Sequence, residues 1–224
     1  MRGKLIVIEG TDCSGKETQT NLVIEKLLSD GVEIEKFTFP NYDSPTGKII
    51  GGPYLGKEYI GKGWFQEGAS NVDPKVASLY FAADRRYNIP LINKYLDSGK
   101  NIILDRYVFS NMAHQGGKLK EQDSRQALYK WIEDLEFSLL ELPKPDIGIF
   151  LHMPYEGACI LKKDRVEKAD QHESSEEHLR NAELAYIEIA NKYNFKTIEC
   201  MTDNKIKSIE DINEEVYQYL VKTL

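Results

Sequence analysis

The residues best equipped for chemistry lie near the N-terminus. Residues 10–16 read GTDCSGK and match the spacing G-x-x-x-x-G-K. Such a loop binds phosphate for stated reasons. Gly10 and Gly15 lack a Cβ, so the backbone can curl around a phosphate without a clash. Thr11, Asp12, Cys13 and Ser14 complete the loop, and Lys16 adds a point charge. The next position usually carries a Ser or Thr whose hydroxyl holds magnesium, and here it is Glu17. Magnesium accepts carboxylate oxygens, but a carboxylate beside a triphosphate also adds repulsion. Water-mediated contact, or an outward-pointing Glu17, is favoured over direct coordination. Thr18 is placed to serve the helix start or to approach the metal. Cys13 reads as a small residue in a crowded loop rather than as a reactive thiol.

A second pair stands in NIILDRY, where Asp105 and Arg106 close an apolar run. In open α/β sheets the carboxyl ends of strands are where ligands bind. A strand-end Asp near a phosphate loop commonly helps hold magnesium, and an adjacent Arg can fork onto a phosphate. The alternative is a structural Asp–Arg pair at a helix start.

The elements that must position these groups can be read from periodicity. LIVIEG is β-branched and continuous, as in a buried parallel strand, and EIEKFTFP, NIILDRY, DIGIFLHM and KTIECM read as four more. A helix follows the glycine loop, with Leu22, Val23, Leu27 and Leu28 on its apolar face and Gly31 just past its end. A short helix is expected around residues 47–55. Asp73-Pro74 opens a longer helix that Pro90 should bend and Gly99 should end. Further helices are expected at about 123–141, after the capping box Ser174-x-x-Glu177, and after Ser208. The alternation implies an α/β protein of three α/β/α layers around a five-stranded parallel sheet.

Composition is that of an ordinary globular chain: 224 residues, 41% hydrophobic and 29% charged. No repeat or linker divides it, so residues 1–224 read as a single domain. The net charge of -7 argues against nucleic acid as a partner and for a small molecule held in a local basic pocket. Only seven of the 29 basic residues are Arg, so each one in an apolar setting carries information. Three widely spaced cysteines suggest neither a disulfide framework nor a zinc site. The N-terminus has no signal-like apolar region and no run approaches a membrane span, which together imply a cytoplasmic protein without membrane partners.

Here the chain resembles the thymidylate kinases. The stretch D-R-Y-x-x-S-x-x-A-x-Q-G at residues 105–116 is similar to that family's second signature. Phe39-Pro40 and L-Y-F-A-A-D-R at residues 79–85 fall in the expected order, and the features together span nearly the whole chain. The resemblance implies a P-loop NTP hydrolase fold of the nucleotide kinase type. It implies ATP as donor, bound by residues 10–18, with Mg2+ held by Asp105 and, less firmly, Glu17. Lys16, Asp105 and Arg106 would carry catalysis. Asp12 would meet the acceptor sugar, Arg106 its phosphate, Phe81 the face of its base and Arg85 the thymine carbonyl. Phe39, Tyr42, Ser110, His114 and Gln115 would complete the acceptor site. A lid is expected around 160–174, and homodimers are expected.

Departures from the family pattern matter. Asn41-Tyr42 stand where many members carry an Arg for the acceptor phosphate, leaving one cation missing unless Lys48 replaces it. His114 stands where many have a Tyr crowding the sugar 2′ position. The loop has no Arg at Cys13, so transition-state charge falls to Lys162, Lys163, Arg165 and Lys168 of the lid, with Arg165 first. Two rival readings follow: a kinase of another deoxynucleoside monophosphate, or a nucleotide-binding protein with little turnover. A GTP-driven switch is disfavoured, because no N-K-x-D tetrapeptide is present.

Overall fold

The computed structural model describes residues 2–162 and 176–224. Five strands form one parallel sheet: β1 (Leu5–Gly10), β2 (Ile34–Thr38), β3 (Asn101–Asp105), β4 (Ile147–His152) and β5 (Lys196–Glu199). Their order is β2-β3-β1-β4-β5. The chain leaves β1 for the sheet edge, returns as β3 beside β1, and then crosses to β4 on the other side. That reversal opens a crevice at the carboxyl ends of β1 and β3. The register brings functional residues level there: Ile8 pairs with Asp105, Thr38 with Asp105, and Gly10 with Leu151.

Every residue of β1 is buried because both sheet faces are covered. Leu5 and Val7 face a core shared with α3 (Pro74–Asp97), α4 (Val108–Gly116), α5 (Gln122–Glu133) and α7 (Glu176–Lys192). Ile6 and Ile8 face a second core under α1 (Lys16–Ser29) and α8 (Ile209–Thr223). A third, smaller core gathers Ile50, Tyr54, Leu55, Ala69 and Val72 against the first turns of α3.

Several caps are as expected. Asp73 accepts from the backbone N–H groups of Lys75 and Val76 at 2.9 and 3.0 Å, and Ser208 accepts from that of Asp211 at 3.0 Å. Gly31 and Gly99 adopt φ of 81° and 94° just beyond their helices. Other expectations need correction. The buried stripe of α1 is Gln19, Thr20, Val23 and Leu27, whereas Leu28 is exposed. The expected 123–141 helix is α5 followed by a wider π-helical turn, Asp134–Leu139. Residues 45–54 combine α2 (Pro45–Ile49) with another π turn, Ile50–Tyr54. Helix α3 runs continuously through Pro90, which sits on its exposed side. Helices α4 and α6 (Tyr155–Lys162) and the small hairpin β6 (Met201–Thr202) and β7 (Lys205–Ile206) were not anticipated. Ser174 lies outside the described residues. No helix among the described residues is long and apolar enough to cross a membrane.

Candidate active site

A cleft of about 500 Å3 opens at the crevice between β1 and β3. One end is the glycine loop. A Cβ on Gly10 would lie 2.6 Å from Ser14 Oγ and 2.7 Å from the Leu151 carbonyl oxygen, so only glycine fits. Gly15 caps α1 with φ of 74° and supplies no side-chain cap. The first N–H groups of α1 are therefore open to an anion. The loop is fixed to the segment after β4: Thr11 Oγ1 donates to the Met153 carbonyl at 2.7 Å and accepts from the Met153 N–H at 3.1 Å.

Lys16 Nζ donates to the carbonyls of Gly10 and Thr11, both at 2.8 Å. Burial, reinforced by the nearby Arg106 charge, pulls the Lys16 ammonium down to a pKa of about 8. Arg106 follows β3 in the left-handed region, φ 67°, which turns its side chain into the cleft. Its Nη2 donates to Asp12 Oδ1 at 2.8 Å, and its Nη1 lies 3.2 Å from both His114 Nε2 and the Tyr186 hydroxyl. Burial alone would raise the Asp12 carboxyl. The charges of His114, Arg106 and Lys16 outweigh it and hold the group well below the usual carboxylate range. Asp12 is thus an anion that keeps Arg106 in place.

Beneath this pair sits Glu9, which is 1% exposed. Its carboxylate accepts from the N–H groups of Tyr107 and Ser110 at 2.7 and 3.1 Å and from the Ser110 hydroxyl. It therefore anchors the N-terminus of α4, the helix that carries Ser110, Asn111, His114 and Gln115. Burial raises the Glu9 pKa, partly offset by these hydrogen bonds.

The far wall is built on Asp84 of α3. Its buried carboxylate accepts from the Asn41 N–H at 2.8 Å and from the Ser44 and Thr46 hydroxyls at 2.9 and 2.8 Å. That fixes the turn carrying Tyr42. One residue on, Arg85 forks onto Glu136 from the π turn, with both side chains 2% exposed or less. Phe81, one turn earlier, meets Tyr54 edge-on with centroids 5.6 Å apart. The amide of Gln115 is fully buried, and neither its oxygen nor its nitrogen has a partner; Asn111 Oδ1 is likewise unpaired. Unmet polar atoms at a cleft wall suit a hydrogen-bonding ligand.

The cleft lining unites Asp12, Cys13, Ser14, Gly15, Lys16, Glu17, Thr18, Phe39, Tyr42, Phe81, Arg85, Asp105, Arg106, Ser110, His114 and Gln115. Gly10 and Thr11 shape the loop from behind. Lys48 is exposed on α2 and is not part of the lining. Lys163, Arg165 and Lys168 lie outside the described residues. Sequence reasoning missed Glu9, Asn111, Tyr186, Glu136 and Lys57. For Glu9 a signal existed, a lone acid inside an apolar strand. For the others no pattern marked them.

Among the described residues no three His, Cys, Asp or Glu side chains form a metal cluster. Magnesium does not need one, since it binds through one or two carboxylates with waters and substrate phosphates. Asp105, 6% exposed at the cleft floor, with Glu17 and Thr18 at the helix start, fits a Mg2+ ion that arrives with phosphate.

Comparisons with known proteins agree with this geometry. The family model described as thymidylate kinase matches residues 8–213. A thymidylate kinase of Schizosaccharomyces pombe is 30% identical over 215 residues, covering 96% of this chain and 90% of that one. A probable thymidylate kinase of Methanocaldococcus jannaschii is 30% identical over 217 residues, covering 96% and 94%. The solved thymidylate kinase structure from Candida albicans superposes with a TM-score of 0.75 at 27% identity, over 99% of this chain and 92% of that one. With the phosphate loop, the Asp105–Arg106 strand end and these matches across nearly its whole length, the chain belongs to the thymidylate kinase family.

Proposed function

We propose that the protein transfers the γ-phosphoryl group of ATP to dTMP, giving dTDP and ADP. The observation that carries the acceptor assignment is the buried, unpartnered Gln115 amide at the wall of the cleft that Phe81 also lines. A carboxamide offers one donor and one acceptor, which match the N3–H and a carbonyl of thymine. Arg85 can only donate, so it can donate to the thymine carbonyl and has no acceptor for the exocyclic amine of cytosine. Glu136 holds its fork in position.

Phosphoryl transfer asks mainly for alignment and charge. Lys16 and the open N–H groups of α1 hold the donor phosphates. Arg106 takes the acceptor phosphate while Asp12, freed in part from it, meets the sugar hydroxyl. Asp105, and through water Glu17 or Thr18, would hold Mg2+, which would supply Lewis acidity toward the phosphate oxygens. The acceptor is already a dianion, so no strong base is needed. Arg165 is assigned the added charge on the transferring group; Arg165→Ala should lower kcat about a thousandfold with little change in KM. The exposed stripe Val76, Leu79, Tyr87 and Leu91 on α3 supports a homodimer through that face.

The test is ATP consumption with Mg2+ against a panel of deoxynucleoside and ribonucleoside monophosphates. Turnover should be highest with dTMP. Turnover confined to a purine or cytosine acceptor would overturn the assignment.

A further inference from the structure

We propose that Tyr186 is a positioning residue for Arg106, its hydroxyl holding one edge of the guanidinium so that the other edge can meet the acceptor phosphate; this rests on the kinase reading above. The two edges of the fork have different surroundings. Nη2 donates to Asp12 Oδ1 at 2.8 Å. Nη1 donates to the hydroxyl of Tyr186 on α7 at 3.2 Å, and lies 3.4 Å from Ser110 Oγ and 3.2 Å from His114 Nε2. A phosphate seated on Arg106 competes with Asp12 for Nη2. The contacts of Nη1 then set the plane in which the fork lies.

The direction of each hydrogen bond follows from counting hydrogens. Ser110 gives its hydroxyl hydrogen to Glu9. At 2.9 Å the Tyr186 hydroxyl is therefore the donor to Ser110 Oγ, and its own oxygen is left to accept from Arg106. The chain runs from Arg106 through Tyr186 and Ser110 to the Glu9 carboxylate, which is 1% exposed. Arg106 thus has an indirect counter-charge besides Asp12, and this one stands away from the edge that a phosphate would take. The ring is held so that the hydroxyl has one place. Tyr186 is buried, and its face stacks on Phe150 of β4 with centroids 5.6 Å apart and planes 14° apart. It meets the His114 ring edge-on at 5.8 Å and 85°. Nearly one turn earlier on α7, Glu183 accepts from the Tyr155 N–H at 3.0 Å and lies 3.0 Å from His152 Nε2. The helix is thereby pinned to β4 and to the start of α6. Burial pushes the Tyr186 pKa up, so the phenol keeps the proton that it gives to Ser110. A phenylalanine would fill the same space and leave Nη1 without that acceptor.

The experiment makes Tyr186→Phe in the wild-type and in the Arg106→Lys backgrounds. The change keeps the stacked ring and removes only the hydroxyl. Calorimetry reads one affinity ratio: the monophosphate of the panel that the wild type binds most tightly, against its own nucleoside, which lacks the group that Arg106 meets. In the wild-type background Tyr186→Phe should shrink this ratio roughly tenfold, the effect of losing one hydrogen bond to a charged group. In the Arg106→Lys background there is no fork to hold, and the same change should move the ratio less than about twofold. In turnover, kcat/KM for the acceptor should fall roughly tenfold in Tyr186→Phe while KM for ATP stays within about twofold. A ratio unchanged by Tyr186→Phe would overturn the proposal. So would an equal loss in both backgrounds, since a merely structural hydroxyl acts alike whichever cation stands at position 106. The ratio can be read for any base the protein prefers. Failure of wild-type turnover with dTMP would therefore sink the activity reading, while the ratio decides this one separately.

Discussion

At the scale of single residues the site is a set of charges that hold one another ready. Arg106 is kept from collapsing onto the sheet by Asp12, and Asp12 is kept ionised by Arg106, His114 and Lys16. Lys16 pays for its burial with a pKa of about 8. That has a measurable consequence. Phosphates entering the loop favour the charged ammonium and raise this pKa. At pH 8 nucleotide binding should take up about half a proton per chain, and at pH 6.5 close to none, since Lys16 is then already charged. Calorimetry in buffers of different ionisation heat reads this directly. Equal uptake at both pH values would remove Lys16 as the titrating group. The chemistry of these residues was legible in the sequence because type and spacing fix it. Gly10, Gly15 and Lys16 stand at the spacing that a strand-to-helix turn around phosphate demands. Gln115 was marked only through the family resemblance, and Asn111 acquires meaning only when α4 aims it at the cleft.

At the scale of elements, the carboxyl end of β4, beside the loop, is clamped by one imidazole. His152, closing β4, places Nδ1 2.7 Å from Glu199 Oε2 on β5 and Nε2 3.0 Å from Glu183 Oε1 on α7. Both ring nitrogens face carboxylates, an arrangement that favours the doubly protonated ring. The hydrogen bond to Glu183, followed by that to Glu199, lifts the His152 pKa above its ordinary 6.5, against partial burial. A raised folded pKa contributes stability that is complete below the unfolded value and is lost as pH rises through the folded one. The thermal midpoint should therefore decline as pH is raised from about 6, and His152→Gln should flatten that slope. A variant with the wild-type slope would show that another group titrates. The strands and long helices were readable because their periods match their burial. Helix α4 was not, because VFSNMAHQG is short and buried on nearly all sides, with its polar face of Ser110, Asn111, His114 and Gln115 turned to the cleft and not to solvent. The two π turns were not, because one extra residue per turn leaves no mark in composition.

For the whole molecule, an acidic chain gathers a local set of cations, Lys16, Arg85 and Arg106 among them, in one cleft. Arg85 of α3 and Arg106 at the end of β3 line one cleft, and the strand order sets Arg106 beside the loop that follows β1. The fold class followed from alternation alone, and the sheet order did not, since period says nothing of which strands are neighbours. The α3 stripe carries a prediction at this scale. Leu79, 51% exposed, is part of it, so Leu79→Glu should shift the particle from dimer to monomer mass in light scattering. A monomeric wild type would contradict the assembly. The central claim, direct transfer between two nucleotides in one cleft, is tested by following the phosphoryl group itself. With γ-labelled ATP, Mg2+ and dTMP, the label should appear in the β-phosphate of dTDP, one for each ADP formed. Label released as inorganic phosphate, with no labelled dTDP, would contradict it.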